Sequence, residues 1–132
     1  MRSLLTVISL VVFFSCALSC QEQPKKQVNK ESIIVINKAM LKAEVIGKKV
    51  QLVDVRTPEE YEAGHIGNAV NYNIINSESF LKQIDHLDKD APIYLYCKMG
   101  GRSNRAAKLL EENGFTKLYD YSGGYNDWVT ED

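Results

Sequence analysis

Short apolar runs recur along the chain between amphipathic stretches: Ile33-Ile34-Val35-Ile36, Leu52-Val53-Asp54-Val55, Ala69-Val70-Asn71-Tyr72, Ile93-Tyr94-Leu95-Tyr96 and Leu118-Tyr119-Asp120-Tyr121. Runs this short, bounded by turn residues and rich in β-branched and aromatic side chains, predict strands. The stretches between them carry helical signals. Asn37 can cap a helix through Met40, Leu41, Val45 and Ile46 that Gly47 ends. Thr57-Pro58-Glu59-Glu60 has a capping residue, a proline at the first helical position and a glutamate that completes a capping box, with Gly64 as the stop. Asn76 or Ser77 can cap a helix bearing Phe80, Leu81, Ile84 and Leu87 on one side. A further helix is predicted from about Ser103 to Asn113, stopped by Gly114, and a last helical turn with Tyr125 and Trp128 follows Gly123-Gly124. Strands alternating with helices predict an α/β fold, with parallel strands and helices on both faces. Ligands of such open sheets collect beyond the carboxyl ends of the strands. The order of elements alone puts Cys97 there.

The first apolar run is of a different kind. Met1-Arg2-Ser3 is a short, weakly basic start, Leu4 to Phe14 is almost wholly apolar, and the small residues Ser15-Cys16-Ala17-Leu18-Ser19-Cys20 follow. That is the anatomy of a secretory signal, too short to span a membrane comfortably. Ala17-Leu18-Ser19-Cys20 resembles a bacterial lipobox, although the position three before the cysteine is usually Leu and here is Ala17. The resemblance implies lipidation at Cys20 and an exported, periplasmic or cell-envelope lipoprotein whose only membrane attachment is its lipid; cleavage and release is the alternative. Residues 21–31 are polar and contain Pro24, which suits a flexible tether. The expected organisation is a signal peptide at 1–20, a tether at 21–31 and one domain at 32–132.

Composition narrows the function. Sixteen Lys and Arg against seventeen Asp and Glu leave a formal charge of −1, which points to neither a nucleic-acid partner nor a polybasic membrane patch. His65 and His86 stand apart from each other and from the cysteines, so no metal site is expected. Of the three cysteines, only Cys97 lies in the expected domain. An internal disulfide therefore cannot be its purpose.

Cys97-Lys98-Met99-Gly100-Gly101-Arg102-Ser103 joins a predicted strand to a predicted helix. A tight glycine-containing turn at a helix N-terminus aims backbone N–H groups and the positive end of the helix dipole at one point. Lys98 and Arg102 add charge, so this loop suits a reactive thiolate. The competing reading is a small buried hydrophobe at a strand end. A sulfur sealed from solvent, with the loop amides turned away, would favour that reading.

Three markers in order make the chain resemble a single-domain rhodanese, similar to the small exported phage-shock-type sulfurtransferases. They are Leu52-Val53-Asp54-Val55-Arg56 followed by Glu60 and Gly64-His65-Ile66; Cys97-x-x-Gly100-x-Arg102-Ser103 with Ala106-Ala107 and Leu110 behind it; and Gly114-Phe115 followed by Gly123-Gly124-x-x-x-Trp128. The resemblance implies a rhodanese-like three-layer fold around a five-stranded, mainly parallel sheet, and a monomer. It also implies transfer of a sulfane sulfur from thiosulfate or a similar small anionic donor to a thiol or cyanide through a Cys97 persulfide. Lys98 to Ser103 would bind that persulfide, Lys98 and Arg102 would attract the donor, and no metal or organic cofactor is required. Asp54 and Arg56 would support the site, with Arg56 near the pocket rim; a salt-bridged strand end is the plainer alternative. Glu60 is assigned to the helix cap, His65 to a turn, and Tyr125 and Trp128 to core or lid packing. The family commonly has Pro-Gly where this chain has Gly67-Asn68, and Asn68 is expected to supply the turn's positive φ. Lys98 replaces a frequent Arg, keeping charge but losing a planar fork.

Two other functions fit the same residues. A cysteine phosphatase or arsenate reductase of the cell-cycle-phosphatase type would use a similar loop, but with a longer spacing between cysteine and arginine than Lys98-Met99-Gly100-Gly101 provides. A non-enzymatic rhodanese-type sulfur-carrier or binding module would need no catalysis. A thiol–disulfide oxidoreductase is disfavoured because no second cysteine makes a C-x-x-C arrangement with Cys97.

Overall fold

A computed structural model describes residues 32–131. The expected signal segment, with Cys20, and the expected tether at 21–31 lie outside the described residues. Five strands and five helices alternate: β1 (Ile33–Ile36), α1 (Lys38–Glu44), β2 (Gln51–Asp54), α2 (Pro58–Glu62), β3 (Val70–Asn71), α3 (Ser77–Ile84), β4 (Ile93–Tyr96), α4 (Gly101–Glu112), β5 (Leu118–Tyr121) and α5 (Gly124–Trp128). The sheet order is β1-β5-β4-β2-β3 and every pairing is parallel. The expected α/β architecture is the observed one.

Strand alternation assigns the layers. On β4, Ile93 and Leu95 face one side and Tyr94 and Tyr96 the other, because successive side chains leave opposite faces. The first pair joins Val53, Val55, Phe80, Ile84, Ala106, Ala107 and Leu110, so α3 and α4 cover that face. The second joins Leu41, Val45, Tyr61, Tyr125 and Trp128, so α1, α2 and α5 cover the opposite one. β4 lies at the centre of the sheet and is buried throughout, which fits its uninterrupted apolar sequence.

The capping signals correspond to real contacts. Asn37 accepts from Met40 N at 2.9 Å, and Asn76, rather than Ser77, caps α3 by accepting from Ser79 N at 2.9 Å. Thr57 and Glu60 form the reciprocal capping box of α2. β3 is shorter than expected. Beyond Asn71 the backbone keeps bonds from Tyr72 N to the Asp54 carbonyl at 2.9 Å and from Ile74 N to the Val55 carbonyl at 3.2 Å, and the Asn71 side chain adds donors to the Asp54 and Arg56 carbonyls. α4 starts earlier than expected, because Gly100 at φ +91° turns the chain so abruptly that the helix begins at the next residue. In the Gly64–Ala69 turn Gly67 takes a left-handed φ of +52°.

Candidate active site

Period-two alternation carries Cys97 onto the same face as Ile93 and Leu95, against α4. Cys97 is a free thiol and only 1% exposed, more deeply seated than the loop sequence suggests. It is not simply sealed in hydrocarbon. The Gly100 amide donates to Cys97 Sγ at 3.0 Å. Immediately beyond, α4 presents its first turn, whose N–H groups have no intrahelical acceptors and carry the positive end of the helix dipole.

The loop keeps this shape because a second loop grips it. Tyr125 N donates to the Cys97 carbonyl at 2.7 Å, and Asn126 N donates to the Lys98 carbonyl at 3.1 Å. Such proximity leaves no room for side chains. A Cβ on Gly124, which sits at φ +67°, would lie 2.6 Å from the Lys98 carbonyl oxygen and 2.7 Å from that of Cys97. A Cβ on Gly100 would lie 2.4 Å from the Ser122 carbonyl oxygen. The Gly-Gly marker therefore has a physical cause: it lets the β5–α5 turn touch the cysteine loop backbone to backbone. Ser103, fully buried, donates from Oγ to the Gly100 carbonyl at 3.1 Å and braces the same turn from beneath.

The charged residues of the loop divide in two. Arg102, whose side chain is 28% exposed, is paired with α2. Its Nη1 and Nη2 donate to Glu60 Oε2 and Oε1 at 2.6 and 2.8 Å, a bidentate ion pair joining α4 to α2. The guanidinium's hydrogen bonds hold the Glu60 carboxyl down at about 2, with the Thr57 amide adding to the effect. Arg102 is correspondingly raised, first through its hydrogen bond to Glu60. Glu60 thus does more than cap α2. The capping box was visible in the sequence; a partner 42 residues away was not. Lys98 is exposed, and Met99, 71% exposed, projects from the loop tip.

Asp54 and Arg56 form a buried support. Arg56 Nε donates to both Asp54 carboxylate oxygens at 3.0 Å, and Nη2 reaches Asp54 Oδ2 at 2.6 Å and the Gly64 carbonyl at 2.7 Å. The guanidinium lies 4.1 Å from the centre of the Tyr125 ring. At 3% exposure Arg56 is not at a rim, so the plainer alternative, a salt-bridged strand end, describes it. Because Tyr125 also binds the cysteine loop through its amide, the pair props that loop from one step away. Sequence reasoning missed this role for Tyr125, and nothing in residue spacing signals it. His65 is exposed and stacks on Tyr61 at 4.1 Å between ring centroids, away from the chemistry. Among the described residues no three His, Cys, Asp or Glu side chains are grouped to hold a metal ion.

The model of the Rhodanese-like domain family matches residues 37–131. The chain belongs to that family. Among rhodanese relatives, the uncharacterized Bacillus subtilis protein YqhL is 45% identical over 82 residues, covering 61% of this chain and 62% of its own length. The thiosulfate sulfurtransferase GlpE of Shewanella oneidensis is 37% identical over 81 residues, 61% of this chain and 77% of that enzyme. The crystal structure of a rhodanese-like domain protein from Staphylococcus aureus superposes with a TM-score of 0.65 at 31% identity, over 74% of this chain and 93% of that one. The rhodanese fold and family expected from the three sequence markers are therefore those observed.

Proposed function

We propose that this rhodanese domain is a sulfurtransferase working through a Cys97 persulfide. The Cys97 thiolate attacks the outer sulfur of thiosulfate or a similar donor. A new S–S bond forms, the donor's S–S bond breaks, and its electron pair leaves with sulfite. An acceptor nucleophile, cyanide or a thiol, then takes the outer sulfur and returns the thiolate. Dividing the transfer between two covalent steps suits an activated cysteine.

The observation that carries the proposal is the Gly100 N–H on Cys97 Sγ at the head of α4. Preorganised amides stabilise negative charge on sulfur without reorganising during the reaction. The first-turn amides of α4 are suited to hold the outer persulfide sulfur, and Lys98 to draw in an anionic donor. Glu60 engages both terminal nitrogens of Arg102, so its part is to fix the loop's last position rather than to bind the donor.

One observation favours the sulfur-carrier or binding-module reading, namely the 1% exposure of Cys97. Treating the full chain with thiosulfate and measuring intact mass decides between them. Wild type is expected to gain the mass of one sulfur atom and to form thiocyanate with cyanide, and Cys97→Ser to do neither. An unchanged wild-type mass would reject the mechanism, and turnover of a phosphate ester would transfer support to the phosphatase reading. The proposal places the domain outside the cytoplasm, held to a membrane through lipidated Cys20.

A further inference from the structure

β5 carries a residue for which the sulfur chemistry has no use. Asp120 is 1% exposed, and its Oδ1 has no hydrogen-bond partner. Its neighbours Tyr119 and Tyr121 turn to the α1–α2–α5 face. Asp120 therefore faces α4, where its carboxyl interacts with Ser103 and Asn104. Burial is the dominant influence on this group and raises its affinity for a proton; the neighbouring Ser103 and Asn104 offset that only in part.

Ser103 connects Asp120 to the reacting sulfur. A serine hydroxyl has one proton to donate. Here it goes to the Gly100 carbonyl at 3.1 Å, with the buried Asp120 carboxyl, its Oδ1 unpartnered, facing the same helix as a competing acceptor. Gly100 is also the residue whose amide meets Cys97 Sγ. We infer that Asp120 is a positioning residue for Cys97, acting through the single proton of Ser103.

Two hydrogen-bond arrangements follow. Protonated Asp120 donates to Ser103 Oγ, leaving the Ser103 hydroxyl to donate to the Gly100 carbonyl, so that Gly100 is held on both sides. Ionised Asp120 draws the Ser103 proton into its own hydrogen bond, and the Gly100 carbonyl keeps only the Asn104 amide at 3.1 Å. The only atom exchanged is the carboxyl proton, which passes to solvent.

The surroundings leave few rival titrating groups. From β1 the register partner is Val35, and from β4 it is Leu95, with Cys97 two residues further on the same face. α4 contributes Ser103 and Asn104, while its Lys108 and Glu111 are exposed to solvent. Cys97 itself is the titratable group that faces Asp120 from these elements.

The inference deepens the sulfur-transfer reading in taking Cys97 as the reacting atom, but it can be tested without a sulfur donor. Iodoacetamide alkylation of Cys97 in the full chain, followed by peptide mass analysis, is compared for wild type and Asp120→Asn across pH. The ratio of the two rates is expected to change by roughly 2- to 10-fold through an ionisation above the ordinary carboxylate range, the size that one hydrogen bond implies. In a Ser103→Ala background the same ratio is expected to stay flat. A flat ratio in the first comparison overturns the inference. A ratio that still varies without Ser103 overturns it too, because the carboxylate would then act through its field alone. Should circular dichroism show Asp120→Asn unfolded, wild type against Ser103→Ala is expected to give the same pH-dependent ratio, and a flat one overturns the proposal. A pH-dependent alkylation ratio without any sulfur adduct would sink the transferase reading and leave this connection standing.

Discussion

Gly124 shows how one missing methyl group shapes the site. An alanine there faces two penalties: a left-handed φ of +67°, and a Cβ driven to 2.6 Å from the Lys98 carbonyl oxygen. The first costs about 1–2 kcal/mol and overpacking adds about 1–3 kcal/mol. Gly124→Ala is therefore expected to lose about 2–5 kcal/mol in urea unfolding, with slower sulfur-adduct formation as the cysteine loop is pushed aside. Unfolding at the wild-type midpoint would show that the loop yields freely. At this scale the sequence was only partly legible. Cys97, Gly100 and the Gly123-Gly124 pair were recognisable as a pattern. Glu60 as the partner of Arg102, Tyr125 as the brace of the loop and Asp120 beneath α4 depend on contacts between distant segments that no local spacing encodes.

Between elements, the Glu60–Arg102 pair ties α2 to α4, and it can be separated from the cap. Glutamine satisfies a capping box as glutamate does, so Glu60→Gln keeps α2's start and removes only the charge pairing. A loss of about 1–2 kcal/mol at neutral pH is expected, as for a hydrogen bond to a charged group. The sign of the pH dependence follows from the depressed carboxyl. Its stabilisation is fully present above the ordinary value of 4.5 and is lost as pH falls towards 2. The stability difference between wild type and Glu60→Gln, measured by denaturant titration, should therefore hold constant above pH 5 and close as pH falls towards 2. A difference that persists undiminished in acid would assign the effect to the cap. Elements themselves were the most legible level, because strand runs and caps are local: Asn37, Thr57-Pro58 and Gly114 mark boundaries close to those observed. Errors fell where tertiary contacts act on boundaries, at β3, where Asn71 adds side-chain bonds to the Asp54 and Arg56 carbonyls, and at α4, where Gly100 turns the chain.

The whole chain pairs a lipobox-like N-terminal segment with a rhodanese domain. If Cys20 carries the lipid, wild type fractionates with membranes and Cys20→Ala in the full chain is expected in the soluble envelope fraction. Equal fractionation of the two would remove the anchor from the proposal. The fold was readable because alternating strands and helices admit few arrangements once connections are short and right-handed. Which face each strand turned to which helix followed from side-chain alternation, and that alternation sent Cys97 towards α4.

The grip of Tyr125 and Asn126 on the carbonyls of Cys97 and Lys98 has a consequence for biogenesis. Those two clamps belong to α5, the last element in chain order among the described residues. A nascent polypeptide that has emerged only as far as β5 holds the thiol and the Ser103 brace but lacks both clamps. Full chemical competence then waits for α5 to emerge, and a product truncated before α5 would carry a less firmly poised mercaptan.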